Sequence, residues 1–479
     1  MSTTPVDSSE PPSQPPDVVA VTVSEGVPAA GTSQGESNGM NPATRRVDRR
    51  LAKLKNHHLH ALHAIRHFLR THSSYDVLPV SFRLVVLDIK LSVKSALDVM
   101  FQSGVVSAPL WRSTIDEDDA DHTSSPPIRP GFAGMITVND IIHLIQYYYQ
   151  TAVNYDSVTL DVETLRLERL REIEQALHVP PPPLLWIAPL RSLAEAGELL
   201  VRTHARRIPL LQYDEDLKIF TVLSVLTQYR LLKFIAMNCR EVTGLKATIG
   251  SLGIGTYTYA HQLERQKRTP HARLRMTAGP PPKDAGPYWP MLTATLDTSV
   301  FDVVHLFSEN EISAVPIIDE QGDVVDIYES VDVITLLRTG VYSQLDLTIR
   351  QALDRRPADY TGVACCTSND SLASVFAVLK HRRMHRMLVV EPMADADEER
   401  ALPKAPNASF LDDADISFPL RPKCKLVGML SLSDVLRYII GKPTAPAPTP
   451  GEPSSTIPSP TSATPGTPVT PRTPETPAS

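Results

Sequence analysis

Apolar residues recur three or four positions apart and then close up into short Val, Ile and Leu runs, and this change of pattern is written four times along the chain. The first copy runs from a helix-like stretch over 93–104 into VVSAPLW and, further on, FAGMITVNDIIHLI. The second is LAEAGELLVRTHARRIPLL followed by FTVLSVLTQYRLLKFI, and the third is VFDVVHLFSENEISAVPII followed by VVDIYESVDVITLL. The fourth is LASVFAVLKHRRMHRMLVV followed by LVGMLSLSDVLRYII. A spacing of three and four predicts an amphipathic helix, and a short continuous apolar run predicts a buried strand. Each copy therefore predicts helix, strand, hairpin, strand, helix, so the fold class expected is α/β built from repeats.

The last helix of each copy is announced in the same way. A Thr or Ser falls about three residues before the residue that opens it, which is Asp140, Arg230, Asp332 and Asp434 in turn. Ordinary capping explains any single instance, because Ser, Thr and Asp are the usual helix-start residues. Recurrence of Asp in three copies adds a carboxylate beside a positive helix end, and a carboxylate can accept from both hydroxyls of a ribose diol. A basic pattern accompanies it: Arg206 and Arg207 precede the second copy's strand, and Arg383, His385 and Arg386 precede the fourth's. A solvated basic edge is the plain alternative, since Arg is mostly exposed. Arg can also fork onto phosphate oxygens, while His adds a donor whose charge depends on pH. Hydroxyl-plus-Asp and basic groups together would make the two ends of a nucleoside phosphate site.

Between and around the copies the composition changes. Residues 1–48 and 443–479 are rich in Pro, Ser and Thr and are expected to be disordered tails. The remaining boundaries expected are 49–150 for the first repeat with a leading helix, 151–240 for the second, 241–290 for a linker with a basic Pro- and Gly-rich insertion, 291–345 for the third and 346–442 for the fourth. STIDEDDADHTSSPPIRP and MADADEERALPKAPNASFLDDADISFP sit at corresponding hairpins of the first and fourth copies, where a strand pair tolerates insertion.

The chain of 479 residues is 42% hydrophobic, enough for several cores, and its net charge of -7 gives no reason to expect a nucleic-acid partner. The four cysteines form no CxxC pair, which favours a reducing compartment with buried thiols. The start lacks the pattern of a secretory signal, and no apolar run reaches the roughly 18 residues of a membrane span. Cytoplasmic and nuclear localisation is therefore expected. NHHLHALHAIRHF puts His60, His63 and His67 on one helical face without an interleaved Cys or acid, so no metal is expected. GSLGIGTY lacks the order of a phosphate-binding loop and reads as a turn. No triad, paired-carboxylate or metalloprotease signature occurs, so no catalytic residue and no enzyme activity are expected.

These residues resemble cystathionine-β-synthase-type (CBS) repeats, and their order resembles the gamma regulatory subunit family of AMP-activated protein kinase, in particular the fungal form of the sucrose-non-fermenting kinase complex. SYDVLP, VVSAPLW, DIIHLIQYYYQ, RRIPLL, SVLTQYRLLKFIAMNCRE, AVPIIDEQGDVVDIYESVDVI, MHRMLVV and LSLSDVLRYII carry the likeness, which runs from about Phe68 to Gly441. The resemblance implies four helix-strand-strand-helix CBS repeats paired into two modules forming a disc. It implies AMP, ADP or ATP as regulatory ligands with no cofactor, and a kinase catalytic alpha subunit and a beta scaffold subunit as partners. Ribose contacts would fall at Asp140, Asp332 and Asp434. Hydroxyl or backbone contacts would fall at Thr137, Ser313, Ala314, Ser431 and Ser433, and phosphate contacts at Arg206, Arg207, His385 and Arg386, with Arg356 as a further basic contact. Arg230 matches a second repeat that lacks Asp and leaves its site unoccupied. Val106, Tyr229 and Glu311 stand where animal members carry cations, so the site of Ser313, His385, Arg386, Ser431, Ser433 and Asp434 keeps the most matches. A stand-alone CBS protein binding an adenosyl ligand, with no kinase partner, is the alternative.

Overall fold

The computed structural model describes residues 42–81, 83–113, 131–151, 164–216, 218–258, 288, 291–338, 347–356, 360, 362–392 and 424–441. The chain divides into two units, 1–50 and 51–479. Of the first, only the start of helix α1 (Pro42–Thr71) is described. That helix begins inside the tail expected to reach residue 48, because Pro at a helix start loses no hydrogen bond and good helix formers follow it. The C-terminal tail, the linker's basic insertion and both hairpin insertions lie outside the described residues.

The first repeat comprises β1 (Leu87–Asp88), α2 (Val93–Gln102), β2 (Ala108–Arg112), β3 (Gly131–Ile136) and α3 (Val138–Thr151). After the short helix α4 (Leu170–Ala176), the second comprises α5 (Leu193–Arg202), β4 (Arg207–Asp214), β5 (Ile219–Thr227) and α6 (Gln228–Asn238). Helix α7 (Ile249–Leu252) and β6 (Thr256–Tyr257) lead to the third, α8 (Val300–Glu309), β7 (Ala314–Ile318), β8 (Val324–Glu329) and α9 (Ser330–Arg338). The fourth follows α10 (Ile349–Leu353) with β9 (Cys365–Cys366), α11 (Leu372–His381), β10 (Arg386–Pro392), β11 (Cys424–Ser431) and α12 (Leu432–Ile440).

Each repeat holds an antiparallel hairpin, β2–β3, β4–β5, β7–β8 or β10–β11, and each hairpin carries one register irregularity. A short upstream segment pairs in parallel with its first strand: Leu87 with Leu110, Ile187 with Leu210, Ala294 with Ile317 and Cys365 with Leu388. The separation is 23 residues each time, which is what one amphipathic helix and its two turns require before the chain returns to the same sheet edge. That helix begins at Ser92, Ser192, Ser299 or Ser371, whose side chain accepts an N–H from the first turn.

The repeats are completed by exchange. Val93 N–H donates to the Leu165 carbonyl and Val300 N–H to the Leu347 carbonyl, so segments that follow repeats one and three finish those repeats. Leu193 N–H donates to the His72 carbonyl and Leu372 N–H to the Ala247 carbonyl, so segments that precede repeats one and three finish repeats two and four. The boundaries drawn at 150/151, 240/241 and 345/346 therefore separate segments from the cores they complete, because the hydrogen bonds are made by backbone and the apolar residues beside them do not say which core they enter. GSLGIGTY is likewise more than a turn: it holds the end of α7, a left-handed cap at Gly253 and β6, which pairs with β11.

One core joins α1, the segment 245–257 and the helices of repeats two and four, with Ile65, Leu200, Leu232, Phe376 and Leu436 fully buried. A second joins repeats one and three and includes Leu167, Leu170 and Ile349 from the exchanged segments. A third, smaller cluster joins the hairpins of repeats three and four through Ala314, Ile327, Cys365 and Leu388. Each fully buried aliphatic side chain contributes about 1.5–3 kcal/mol, so the cores hold sequence-distant repeats together. The glycines of GMITVNDI and GMLSLSDV answer different needs. Gly134 has φ +123°, whereas a Cβ on Gly428 would lie 2.7 Å from the Thr256 carbonyl oxygen of β6.

Candidate functional site

The start of each repeat's second helix builds a polar corner at the end of the hairpin. In repeat one, Asp140 Oδ2 accepts the Thr137 N–H and hydroxyl, both at 2.7 Å. In repeat four, Asp434 Oδ2 accepts the Ser431 N–H at 2.9 Å and hydroxyl at 2.6 Å, while Ser431 Oγ accepts the Asp434 N–H at 3.2 Å. In repeat two, Thr227 Oγ1 accepts the Arg230 N–H at 3.1 Å, and the Arg230 guanidinium turns onto the Val225 carbonyl at 3.0 Å. Repeat three departs from the expected hydroxyl. Glu329 occupies the cap, and its N–H donates to Asp332 Oδ2 at 2.8 Å. Capping thus consumes one oxygen of every corner Asp.

The other oxygen separates the three. Asp140 Oδ1 accepts from Arg171 of α4 at 3.0 Å; the same guanidinium reaches Glu174 at 2.6 Å, and His143 stands 3.5 Å from that Glu174. Asp332 is forked by Arg356, Nε to Oδ1 at 2.9 Å and a terminal nitrogen to Oδ2 at 2.7 Å. Arg356 also reaches Asp326 at 2.8 Å and lies over the Tyr360 ring at 4.2 Å. Burial pushes the Asp140 and Asp332 carboxyls up, and their arginines pull the other way. Asp332 and Asp326 in turn hold Arg356 cationic, well above its ordinary range; with an Arg that does not deprotonate and a fork this short, the ion pair is the form that persists. Among the described residues Asp434 Oδ1 has only Arg437, on its own helix, at 3.4 Å. The fourth corner is the least committed.

The basic residues gather at that corner. Arg386 lies opposite Ser431 in the β10–β11 register, and Arg207 opposite Thr227 in β4–β5. Arg386 crosses to repeat three, donating to the Ser313 carbonyl at 2.9 Å and hydroxyl at 3.1 Å, with Glu329 3.3 Å from its Nε. Burial lowers Arg206 and Arg207 to about 10, with Arg386 and Arg207 acting on Arg206 and Arg383 on Arg207. Arg206 nonetheless keeps exposed surface, and values near 10 leave both groups cationic at neutral pH. His385 is pushed down to about 3 by burial and by Arg386, Arg207, Arg383 and Arg206, so its imidazole is neutral near pH 7 rather than a charge switch. Burial raises the Tyr288 phenol; Arg437 and Arg206 oppose that shift while Glu311 and Asp434 add to it, which puts this linker residue among them.

Of the residues expected from sequence, Arg206, Arg207, Ser313, Ala314, His385, Arg386, Ser431, Ser433 and Asp434 belong to the fourth corner or its rim. Ala314 is buried opposite Glu329, and the Ser433 hydroxyl is already given to Gln228 of α6 at 2.9 Å. Thr137 with Asp140, and Asp332 with Arg356, form their own networks. Sequence reading passed over Arg171, Gln228, Tyr288 and Glu329. Glu329 was detectable, standing three residues before Asp332 where the other copies have Thr or Ser. Among the described residues no three His, Cys, Asp or Glu side chains converge as metal ligands, and no helix is long and apolar enough to cross a membrane.

Four such units, each a hairpin framed by capped helices and completed by exchange, define a CBS-repeat protein, and the model of the CBS domain matches residues 287–339. The chain is 36% identical over 380 residues to the 5'-AMP-activated protein kinase subunit gamma of Saccharomyces cerevisiae, a match covering 79% of this chain and 94% of that protein. The subunit of the same name from Kluyveromyces lactis is 36% identical over 381 residues, covering 79% of this chain and 92% of that one. The chain belongs to the 5'-AMP-activated protein kinase gamma-subunit family. A crystal structure from Methanocaldococcus jannaschii, described as that of an archaeal homologue of the gamma subunit, superposes with a TM-score of 0.47 at 13% identity, covering 77% of this chain and 99% of that one.

Proposed function

We propose that this chain is a non-catalytic regulatory subunit that binds an adenine nucleotide at the corner formed by Ser313, His385, Arg386, Ser431 and Asp434. The convergence of Arg206, Arg207, Arg383 and Arg386 on a corner whose Asp434 Oδ1 meets only Arg437 among the described residues carries the reading. The arginines supply the phosphate end, the carboxylate supplies the ribose end, and neutral His385 supplies a hydrogen bond without further charge. Membership of the gamma-subunit family supports the adenine nucleotide and a kinase catalytic subunit with its beta scaffold as partners. Regulation then rests on a difference in nucleotide affinity between two states of the assembly, typically about 1–3 kcal/mol.

Calorimetric titration of AMP, ADP and ATP into the chain tests the site. Asp434→Ala should weaken AMP by about tenfold or more, as expected for loss of a charge-assisted hydrogen bond, with the melting curve kept cooperative. Unchanged affinity in that variant would reject the corner. Purification of the tagged chain from its own cells, with the co-purifying proteins identified, tests the partners; nucleotide binding without any kinase would favour a stand-alone sensor.

A further inference from the structure

The Arg386 guanidinium offers five N–H donors, and three are committed: two to the Ser313 carbonyl and hydroxyl and one toward the Glu329 carboxylate. Both partners come from repeat three, and the ion pair is largely shielded, with 12% of the Arg386 side chain and 24% of the Glu329 side chain accessible. Glu329 is also where the repeat grammar breaks. Thr137, Thr227 and Ser431 fill the cap with a neutral hydroxyl, and only here does the cap project a carboxylate. A capping carboxylate near a helix N-terminus is unremarkable by itself. This one is turned off its own helix end onto the cation that best fits a phosphate.

We infer that Glu329 is a specificity-determining residue that sets how many phosphates the corner accepts, an inference that rests on the nucleotide reading above. Among the described residues two Arg386 N–H groups have no acceptor, enough to receive one phosphate while the Glu329 pair stays intact. A triphosphate brings more negative charge to the same place, and Glu329 must either repel it or give up Arg386. The monophosphate is thereby favoured over the triphosphate, through an unfavourable element aimed at the competitor.

The test titrates AMP, ATP and inorganic tripolyphosphate, in EDTA so that no divalent cation masks charge, into the full chain and into Glu329→Gln. A second variant, Glu329→Ser, restores the hydroxyl cap of the other copies and guards against a loss of folding. Both variants should bind ATP about tenfold more tightly, the scale of one charge-assisted bond, with AMP gaining several-fold less and the AMP-to-ATP preference narrowing. Nucleotide binding that is unchanged or weakened in both variants overturns the role of Glu329 and leaves the nucleotide site standing. Absence of nucleotide binding, with tripolyphosphate still tightened by the substitutions, keeps Glu329 as the competing anion and rejects the adenosine end. Failure of every probe in all three proteins overturns both.

Discussion

Removal of Arg356 should be among the most damaging single changes in the molecule. Its guanidinium forks Asp332 at 2.9 and 2.7 Å and reaches Asp326 at 2.8 Å, with accessibilities of 7% for Arg356, 15% for Asp332 and 25% for Asp326. Arg356→Met keeps most of the volume but leaves two carboxylates facing each other without a cation. Breaking a buried pair on one side typically costs about 3–5 kcal/mol, because the orphaned charge keeps its desolvation penalty. At roughly 2 °C per kcal/mol for a chain of this size, the melting temperature at pH 7 should fall by about 6–10 °C, read by circular dichroism. Acidification supplies the second arm. The Asp332 carboxyl is already pushed up by burial, and loss of Arg356 pushes it further. A group whose folded pKa exceeds its unfolded value favours the folded state at low pH and loses that contribution as pH rises through the folded value. Arg356→Met should therefore recover part of its deficit relative to the parent between pH 7 and pH 5. Asp332→Asn with Arg356→Met should be less damaged than Arg356→Met alone. A fall under about 2 °C, or a deficit that does not shrink on acidification, would refute the account of this ion pair.

Other expectations follow from the same geometry. Because burial and the surrounding arginines hold His385 down to about 3, its imidazole should stay neutral in the free chain throughout the range from about pH 5 to 8; NMR of the His385 ring carbons measures this, and a titration midpoint near the ordinary value of about 6.5 contradicts the neutral imidazole. Gly428→Ala would set its Cβ 2.7 Å from the Thr256 oxygen and 2.8 Å from the Tyr257 ring, so β6 must move. Amide exchange at Thr256–Thr258 should accelerate at a cost of about 1–3 kcal/mol, and unchanged protection there would count against the close approach. His58 Nδ1 accepts the Ala247 N–H at 3.3 Å, its Nε2 meets the Tyr438 hydroxyl at 2.7 Å, and burial lowers its pKa. Since the folded value lies below the unfolded one, its contribution is present above about pH 6.5 and is lost as pH falls toward the folded value. His58→Gln should flatten that part of the stability curve, and identical curves would exclude the residue.

What could be read from the sequence was what is local. The Thr or Ser three residues before Asp140 and Asp434 and the hairpins that lead to them are set by short-range hydrogen bonding and by the change from helical to strand spacing. The exchange of segments could not be read, because Leu165, Leu347, His72 and Ala247 contribute carbonyl oxygens that any residue carries. Arg171 was passed over for a related reason. In LERLREIEQAL it looks like one more charge on an amphipathic helix, and only the packing of α4 on repeat one aims it at Asp140. His385 was identified but not its state, which depends on burial and on Arg206 and Arg207 from a distant stretch of the chain as well as on its neighbours Arg383 and Arg386.

The same exchange explains why a fourfold repeat does not yield equivalent corners. Repeats one and three are completed by segments that follow them, and those segments deliver Arg171 and Arg356 onto Asp140 and Asp332. Repeat four is completed from upstream, by the backbone of 245–250, which brings no arginine to Asp434. Its corner is tied to the other repeats differently, through Arg386 to Ser313 and Glu329 and through Ser433 to Gln228. An anion that asks more of Arg386 than the N–H groups left by Ser313 and Glu329 must therefore draw on bonds that hold repeat four to repeat three. A ligand shifts a conformational equilibrium only through such a difference in interaction between states. In this chain the residues best placed to feel the anion are also those that join the repeats.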